Sequence, residues 1–381
     1  MTPQRRILHV TSGLGLGGAE TMLYRLIEHS QGREDMQHSI VSLTDNNSFD
    51  FHRLGVPVET IPLQQGPLRG LWMLRRGIAR FDPAIVQSWM YHGNAAATLA
   101  AIASHRPVVW SIHHSLHDLH NEKRSTRWAI QAGRHLSRWS TTRRIVYVSE
   151  KSRQHHDAFG YEHDKAILIP NGFDCLRFAP DKAVGQFVRE SLGLSSEHLV
   201  FGSFGRYHPV KDHASLIRAF AQVAAQLPHA RLVLAGADVT NSNRPLTTLL
   251  DDLGVRHLTH LLGMREDMPQ LYNSLDIYVL SSRSESFPNV LGEASACAVP
   301  SVSTDVGDSG RIVGNTGFVV PPGNTDALAS ALLDAGQRTP AERCVMGERA
   351  RQRIVEHFSL PVVAEAYRRL YDELLDPAPP R

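Results

Sequence analysis

The feature that most constrains the fold is an alternation of short β-rich segments with helical patterns, which runs twice along the 381-residue chain. The strands predicted in the first half are Arg6–Val10, His38–Leu43, Val56–Ile61, Ile85–Gln87, Val108–Ile112, Ile145–Val148 and Ala166–Ile169. Those predicted in the second half are Leu199–Phe204, Leu232–Ala235, Leu258–Leu262, Ile277–Leu280, Ser301–Ser303 and Phe318–Val320. Such alternation is typical of parallel sheets whose strands are joined by crossover helices. We therefore predict an α/β protein with two doubly wound parallel sheets facing across a cleft, with ligands at the carboxyl ends of the strands.

A loop-rich stretch from Pro170 to Ser196 separates the two series of strands, and its prolines and glycines interrupt regular structure. We predict an N-terminal domain at 1–172, a linker at 173–196 and a C-terminal domain at 197–360. Residues 361–381 are predicted to form a C-terminal helix that packs back toward the N-terminal domain.

The composition excludes several classes of protein. Hydrophobic residues make up 42% and charged residues 20% of the chain, which is typical of a globular protein. No apolar run approaches the roughly 20 residues of a membrane-spanning helix. The spacing of Cys175, Cys297 and Cys344 is neither paired nor metal-like, which fits a reducing cytoplasm and argues against zinc. A net charge of only +2 argues against a nucleic-acid partner.

A glycine-rich segment, Thr11–Glu20, follows the first predicted strand and opens the first predicted helix. Its glycines match G-x-G-x-x-G, a pattern in which backbone amides and a helix N-terminus approach a phosphate. A dinucleotide site also requires an acidic residue near the end of the second strand. The nearest candidate, Asp45, lies 27 residues after Gly18 and outside a clean strand end. A phosphate site, a dinucleotide site and a simple turn therefore all stay open for this segment.

Two cations follow the first predicted strand of the second half. Arg206 and Lys211 lie in the glycine-containing segment Gly202–Asp212, directly before the helix predicted at His213–Leu227. Fixed cations beside a helix N-terminus suit a diphosphate and can stabilise the charge that builds on a departing one.

Two glutamates frame the helix start that follows the strand Ile277–Leu280. Pro288 is predicted at the first position of that helix, which proline favours. Glu293 lies one turn further on and can bind a ribose diol through its two oxygens, while Glu285 precedes the helix on the same rim. The backbone amides expected to be available for sugar hydroxyls or phosphate near this helix start are those of Phe287, Asn289 and Val290.

Together these motifs resemble the GT-B glycosyltransferases, and specifically glycosyltransferase family 4. The resemblance covers nearly the whole chain, in family order. Its matching segments are Gly17–Glu20, Ile169–Asp174, Gly205-Arg206 with Lys211, Leu232–Gly236, Leu262-Gly263, Glu285 with Glu293, Thr304–Gly307 and Gly317–Gly323. The resemblance implies a GT-B fold of two Rossmann-like domains and a retaining, nucleotide-sugar-dependent activity.

The resemblance also implies roles for individual residues. Arg206 and Lys211 would hold the donor diphosphate, Glu293 the ribose and Glu285 the transferred sugar. The N-terminal domain would contribute His113, or its neighbour His114, near the reacting sugar. The implied catalytic residues are His113, Glu285, Arg206 and Lys211. The implied donor-binding residues are Gly17, Gly18, Arg206, Lys211, Gly263, Glu285, Phe287, Asn289, Val290 and Glu293.

The implied reaction moves a hexosyl or N-acetylhexosaminyl unit from a UDP- or GDP-linked sugar to a glycan or lipid-diphosphate-linked acceptor in surface polysaccharide synthesis. No two aspartates stand two residues apart, so a D-x-D metal clamp is absent, and we expect neither a metal nor a cofactor. Family members retain the anomeric configuration, by a front-face attack in which the donor phosphate accepts the acceptor's proton.

A basic stretch, Lys123–Arg144, suggests a further partner. It contains seven lysines and arginines and no acidic residue, and Trp128 and Trp139 flank its basic stripe. A basic helix edged by aromatic residues suits an anionic membrane surface or a lipid-diphosphate acceptor. We therefore expect a cytoplasmic protein, peripheral at the inner face of the membrane. The alternative is a solvated face whose tryptophans pack inward.

Three other functions would each account for part of the sequence. A nucleotide-sugar epimerase on the same fold would use the same phosphate sites but release an isomerised donor without any acceptor. A dinucleotide-dependent oxidoreductase would explain the glycine loop but gives no task to Arg206, Lys211 and the two glutamates. A non-catalytic nucleotide-sugar sensor would not need the full set of charged residues that this sequence retains.

Overall fold

The structure is a computed structural model, and it describes residues 5–15, 17–31, 35–46, 48–116 and 123–375. The chain divides into two compact units. The first unit consists of Met1–Gly172 with Leu360–Arg381, and the second of Phe173–Ser359. The residues predicted as a linker, 173–196, belong to the second unit and contain a helix, Lys182–Ser191.

In its described residues, the first unit contains a seven-stranded parallel sheet in the order β3-β2-β1-β4-β5-β6-β7. The strands are β1 (Arg5–Thr11), β2 (Met36–Ser42), β3 (Val58–Thr60), β4 (Ile85–Trp89), β5 (Val108–Ile112), β6 (Thr142–Tyr147) and β7 (Ala166–Leu168). The helices between them are α1 (Gly18–Ser30), α2 (Pro67–Phe81), α3 (Met90–Ala101), α4 (Arg124–Leu136) and α5 (Glu150–Phe159).

The second unit contains a six-stranded parallel sheet in the order β10-β9-β8-β11-β12-β13. The strands are β8 (Leu199–Phe204), β9 (Ala230–Ala235), β10 (Thr259–Leu261), β11 (Ile277–Leu280), β12 (Ser301–Thr304) and β13 (Phe318–Val320). The helices are α6 (Lys182–Ser191), α7 (His213–Gln226), α8 (Arg244–Asp252), α9 (Met268–Asn273), α10 (Asn289–Ala296), α11 (Ser309–Val313), α12 (Thr325–Gln337) and α13 (Pro340–Phe358).

Helices cover both faces of the central strands. Every residue of β4 and of β8 is buried, as expected for parallel strands that lie between two helical layers. In the first unit, α2, α3 and α4 contribute to the apolar cluster on one face of the sheet, and α1 to the cluster on the other. In both units the strand order reverses at the first strand, between β1 and β4 and between β8 and β11. This is where ligands of doubly wound sheets bind.

The last helix, α14 (Leu360–Leu375), packs on the first unit, beside α1. Tyr367 and Tyr371 are buried there, and the Tyr371 hydroxyl donates to Gln87 Oε1 at 3.3 Å. Arg5 forms a 2.6 Å ion pair with Asp372. Residues 376–381 of the predicted C-terminal helix lie outside the described residues. Among the described helices, none combines the length and apolar character needed to cross a bilayer.

Candidate functional site

The two charged motifs of the second half meet because their strands are neighbours. β8 and β11 pair directly, with Phe201 opposite Ile277 and Gly202 opposite Tyr278. Parallel strands end at the same edge of a sheet, so the loop after β8 and the loop after β11 lie side by side at the reversal of strand order.

An ion pair joins these two loops. Lys211 Nζ lies 2.5 Å from Glu285 Oε1, and both side chains are largely but not fully buried. Ser282 Oγ donates to the same carboxylate oxygen at 2.8 Å. The structure therefore brings together two of the predicted catalytic residues, and Glu285 enters any reaction already hydrogen-bonded.

The backbone around Lys211 is also fixed from the neighbouring loop. Ser281 Oγ donates to the Lys211 carbonyl at 2.8 Å, and the Arg283 amide donates to the Val210 carbonyl at 2.7 Å. Lys211 ends a short 3-10 turn, Pro209–Lys211, which directly precedes the N-terminus of α7. The side chain thus starts from a rigid turn rather than from a free loop.

Asp212, a residue without a predicted role, anchors this turn. It has a left-handed backbone (φ 48°), and its buried carboxylate caps α7 by accepting from Ser215 N at 3.3 Å. Arg283 Nε donates to the other carboxylate oxygen at 2.8 Å. Burial alone would raise the pKa of Asp212, but the hydrogen bonds from Arg283 and Ser215 outweigh it and lower the pKa. An aspartate before a helix is an N-cap signal, so the capping role was available from the sequence.

Arg206 differs from Lys211. Its side chain is exposed, and it makes no hydrogen bond or ion pair with any described residue. Its backbone lies beside Gly236, where a Cβ would overlap the Gly205 carbonyl. Arg206 is therefore a cation on the rim that is not neutralised by the surrounding residues.

Gly263 supports the loop after β8 indirectly. It has φ +67°, its carbonyl accepts from the Gly236 amide at 2.7 Å, and its own amide donates to the Val239 carbonyl at 2.9 Å. Gly236 in turn contacts Gly205, so this predicted donor-binding residue lies in a turn packed against the loop that carries Arg206.

Glu293 is held by a buried tyrosine. The Tyr272 hydroxyl donates to Glu293 Oε2 at 3.2 Å, a contact that the sequence analysis did not predict. Both Glu285 and Glu293 act electrostatically on the buried Tyr278 hydroxyl and, together with the larger effect of burial, raise its pKa. Both carboxylates thus lie close enough to the Tyr278 hydroxyl to act on it electrostatically.

The start of α10 differs slightly from the prediction. Pro288 is the N-cap, and the helix begins at Asn289, followed by Val290. The first amides of a helix lack an intrahelical acceptor, so these positions keep the geometry that binds hydroxyls or phosphates. The Phe287 side chain is buried, with its ring centroid 6.1 Å from those of both Phe173 and Phe358, which leaves its backbone as the group suited to a ligand.

The glycine loop of the first unit shows why its glycines are needed. Gly17 is the N-cap of α1 and makes no side-chain cap hydrogen bond, and Gly18 is the first, exposed residue of the helix. A Cβ at Gly13 would lie 2.7 Å from Thr44 Oγ1, and one at Gly15 would lie 2.9 Å from the Asn46 side chain. Two glycines of the G-x-G-x-x-G pattern are therefore required by the neighbouring loop. At Gly17 a Cβ would overlap the Glu20 carboxylate, which lies over the start of α1 and accepts from its own backbone amide. Leu16 lies outside the described residues.

His113 directly follows β5, at the carboxyl edge of the first sheet. Both ring nitrogens are buried without a hydrogen-bond partner at normal geometry, and the ring lies 5.4 Å from that of Trp89. Burial lowers the pKa of His113 to about 3, and the side chain of Asn171 offsets this only in part. His113 is therefore neutral near pH 7. His114 instead packs its ring edge against Tyr91, at 6.2 Å.

Within the described residues, no group of three or more His, Cys, Asp or Glu side chains is arranged to hold a metal ion.

Two family profiles match the chain. The profile described as Glycosyltransferase Family 4 matches residues 16–177, and the one described as Glycosyl transferases group 1 matches residues 198–337. The first profile thus covers most of the first unit and the first residues of the second unit, and the other profile lies within the second unit.

Individual proteins agree with these profiles. The putative glycosyltransferase EpsF from Bacillus subtilis is 28% identical over 321 residues, which are 79% of each chain. The UDP-Gal:alpha-D-GlcNAc-diphosphoundecaprenol alpha-1,3-galactosyltransferase from Escherichia coli is 24% identical over 291 residues, 74% of each chain. The crystal structure of Anabaena Alr3699/HepE in complex with UDP and glucose superposes with a TM-score of 0.83 at 20% identity, covering 97% of this chain and 100% of that one. At this identity the structural likeness concerns the fold.

Proposed function

Because the chain belongs to glycosyltransferase family 4 and has the GT-B fold, an α/β fold with two parallel sheets, we propose that it transfers a hexosyl or N-acetylhexosaminyl unit from a UDP- or GDP-linked sugar to a glycan or lipid-diphosphate-linked acceptor. The proposed transfer retains the anomeric configuration, uses neither metal nor cofactor, and serves surface polysaccharide synthesis.

The observation that carries this proposal is the contact between Lys211 and Glu285 at the junction of β8 and β11. A departing nucleoside diphosphate needs positive charge that is already in place, and Lys211 and the unneutralised Arg206 supply it. Glu293, held by Tyr272, offers a carboxylate for the ribose hydroxyls.

The state of Glu285 supports a positioning role rather than covalent catalysis. Its Oε1 accepts from both Lys211 and Ser282, so this oxygen is already engaged by two donors that hold the carboxylate in place. We propose that the acceptor oxygen attacks C1 on the face from which the diphosphate leaves. The bond between C1 and the diphosphate oxygen breaks, and that oxygen takes the acceptor's proton. Neutral His113 then acts as a hydrogen-bonding group for the sugar and does not compete with the cations.

Metal independence follows from this assignment, since Arg206, Lys211 and the amides at helix starts replace a divalent ion. We expect turnover to be unchanged after removal of divalent ions by EDTA. Loss of activity in EDTA, restored by added Mg²⁺ or Mn²⁺, would contradict the metal-free assignment.

For the acceptor, we propose a lipid-linked or glycan substrate reached from the inner face of the membrane, with Lys123–Arg144 as the contact to anionic lipid. Trp128 and Trp139 are exposed in this stretch, which supports a surface role over inward packing. The Escherichia coli relative is named for a diphosphoundecaprenol-linked acceptor.

The decisive experiment combines donor binding with product analysis. A thermal-shift panel of UDP-, GDP-, ADP- and dTDP-sugars identifies the donor, because a ligand that binds only the folded state stabilises it by mass action. The identified donor is then incubated with and without candidate acceptors. We expect acceptor-dependent release of nucleoside diphosphate with retained configuration. An isomerised donor formed without any acceptor would instead indicate an epimerase.

A further inference from the structure

The loop that carries His113 is held by the connection that follows the neighbouring strand. β5 lies between β4 and β6 in the first sheet, and the segments after these strands meet at the carboxyl edge. The Val148 amide, just after β6, donates to the Ile112 carbonyl at 3.4 Å. Ser152 Oγ, in the first turn of α5, donates to the His114 carbonyl at 2.6 Å. The residues on both sides of His113 are therefore hydrogen-bonded to the connection from β6 to α5.

Ser152 is the point where these contacts meet. The residue is fully buried, and its amide donates to Ser149 Oγ at 3.0 Å, which caps α5. Its carbonyl accepts from His156 Nδ1 at 2.7 Å. Together with the bond from its hydroxyl to His114, these contacts join the start of α5 rigidly to the loop after β5.

Tyr91 supports the same loop from the side of β4. The Ser152 carbonyl can only accept, so the ring proton of His156 lies on Nδ1, and Nε2 accepts from the Tyr91 hydroxyl 3.0 Å away. Burial lowers the pKa of His156 to about 3, so this neutral form persists at neutral pH. The Tyr91 ring also packs against the edge of the His114 ring, with 6.2 Å between centroids. Tyr91 thus contacts both α5 and the residue that follows His113.

The backbone before Tyr91 adopts a disfavoured conformation. Met90, which follows the last residue of β4 and begins α3, has φ +62°. A residue with a Cβ rarely adopts this left-handed region, and it does so where the surrounding structure fixes it. The turn from β4 into α3 is therefore constrained at the position that places Tyr91 against α5.

The His113 ring depends on these contacts because its own polar atoms contribute little to its position. Within the described part of the chain, both ring nitrogens are buried without a hydrogen-bond partner at normal geometry. The ring packs on Trp89, with 5.4 Å between centroids. Ser115 Oγ and His155 Nδ1, 2.7 Å apart, join the loop to α5 once more, two residues after His113. The backbone of the loop therefore determines where the ring lies.

We propose that Ser152 and Tyr91 are positioning residues for the transfer reaction, because they hold the loop of His113 between α5 and β4. Neither side chain is assigned a contact with a substrate. A displacement of about 1 Å in a reacting group can cost about 100-fold in rate. The inference rests on the proposed function for the role of His113, and it adds α5 and the turn after β4 to the residues on which that role depends.

The test uses Ser152→Ala and Tyr91→Phe in the full chain, since each change removes a single hydroxyl group. We expect each to lower kcat by about tenfold or more with the identified donor and acceptor, while the donor KM stays within about twofold. The donor-induced thermal shift should be unchanged, because Arg206, Lys211 and Glu293, the charged groups proposed to bind the donor, lie in the second unit.

Matched controls remove hydroxyl groups elsewhere in the first unit. Ser137 is fully buried like Ser152, and its Oγ donates to the Arg134 carbonyl at the end of α4, at 3.2 Å. Tyr161 is 4% exposed like Tyr91, and its hydroxyl donates to the Ile130 carbonyl at 3.0 Å. Ser137→Ala and Tyr161→Phe should lower Tm about as much as the test variants and leave kcat unchanged.

A second readout does not depend on activity. The ring signals of His113 in protein with ¹⁵N-labelled histidine are assigned by comparison with His113→Gln. Burial lowers the pKa of His113 to about 3, so the ring should be neutral at pH about 5.5, where a hydrated histidine is mostly protonated. Ser152→Ala leaves the His114 carbonyl without its donor, so we expect water to reach the ring and a protonated signal to appear at that pH. Ser137→Ala should keep the neutral signal.

Either of two results would overturn the inference. The first is a loss of kcat in Ser152→Ala and Tyr91→Phe no larger than in their controls, and the second is a His113 ring that stays neutral in Ser152→Ala. Failure of the proposed function looks different, since the unaltered protein would then show no acceptor-dependent transfer. The histidine spectra would still decide whether Ser152 holds the loop of His113.

Discussion

Lys211 and Glu285 neutralise each other across 2.5 Å before any donor is present. On the proposed mechanism, a diphosphate that approaches Arg206 would offer Lys211 a second anion, so the lysine could interact with the leaving group without losing its position. The cation is thereby placed in advance, which is the arrangement that stabilises developing negative charge most effectively.

We predict that Lys211→Ala and Glu285→Ala each abolish turnover at the level of a standard assay, which for the lysine corresponds to a loss of about 100-fold or more in kcat, as for other fixed charge-stabilising groups. The measurement is steady-state release of nucleoside diphosphate with the identified donor and acceptor. Lys182→Ala, at an exposed lysine on α6, is the matched control and should leave kcat unchanged. A Lys211→Ala enzyme that keeps more than about a tenth of kcat would contradict the assignment.

We propose that Tyr272 positions Glu293 for donor binding. Its fully buried hydroxyl donates to Glu293 Oε2, and burial, followed by the charge of Glu293, raises the pKa of Tyr272 so that it stays a donor. We predict that Tyr272→Phe raises the donor KM by about tenfold with little change in kcat. The change removes a hydrogen bond to the charged Glu293, which is proposed to bind the donor ribose and not to take part in the chemical step. Tyr278→Phe is the control, since that hydroxyl contacts the backbone of Phe204 and no carboxylate. Equal effects of the two changes on KM would argue against a specific role for Tyr272.

The loop after β12 packs against the loop that carries Glu285. Gly307 has φ +55°, and a Cβ there would overlap the Ser286 carbonyl and lie 2.7 Å from that of Glu285. The Asp308 amide donates to the Ser286 carbonyl at 3.1 Å. The position of the Glu285 loop therefore depends on backbone contacts from the loop after β12.

We predict that Gly307→Ala lowers both kcat and thermal stability, since it adds a steric displacement to the cost of a left-handed alanine, roughly 1 kcal/mol. Gly323→Ala is a matched control, because Gly323 has φ +73° but open space around its Cβ position. Gly323→Ala should lower Tm by an amount that reflects the left-handed alanine alone, and it should leave kcat unchanged. If Gly307→Ala retained the kcat of the control, the loop contact would not position Glu285.

Features that depend on a few neighbouring residues could be predicted from the sequence, whereas contacts that depend on the strand order could not. The predicted family, fold and strand series are confirmed, because β-branched runs and turn residues specify each strand within its own few residues. Periodicity does not predict α9 or α11, which are too short to show it. The pairing of Lys211 with Glu285 and of Asp212 with Arg283 depends on β8 lying beside β11, a strand order that no local pattern encodes. The proposed residue roles in catalysis stay predictions until the variants are measured.

The first unit contains a buried chain of neutral side chains that are linked by hydrogen bonds. Trp89 Nε1 donates to His9 Nδ1 at 3.2 Å, and His9 Nε2 lies 3.0 Å from His38 Nδ1. His38 Nε2 lies 2.8 Å from Ser30 Oγ, which donates to the Ile27 carbonyl at 2.7 Å. Because His9 Nδ1 accepts from Trp89, the His9 proton lies on Nε2, which donates to His38 Nδ1. The His38 proton therefore lies on Nε2, which donates to Ser30 Oγ. A proton added to either histidine would break the chain.

Burial lowers the histidine pKa values on both units, but more often in the first. The pKa of His9 falls well below its usual value, that of His38 falls to about 4, and those of His113 and His156 fall to about 3. In the second unit, burial lowers the pKa of His213 to about 4. An unfolded histidine has a pKa of about 6.5, so below that pH the unfolded chain binds more protons than the folded one. The free energy of unfolding therefore falls as the pH drops from about 6.5 toward 4, by up to about 1.4 kcal/mol per pH unit for each such histidine.

We predict that the first unit unfolds before the second on acid titration through this window. All five tryptophans of the chain lie in the first unit, so their fluorescence reports that unit alone. Hydrogen exchange of β8 and β11 peptides follows the second unit. His38→Gln removes one buried titrating group, and should reduce the slope of unfolding free energy against pH between about 6.5 and 4 even where it lowers stability at neutral pH. His105→Gln, at an exposed histidine, should leave the slope unchanged. Simultaneous acid loss of both signals, or an unaltered slope in His38→Gln, would show that the buried histidines do not set the acid limit of the fold.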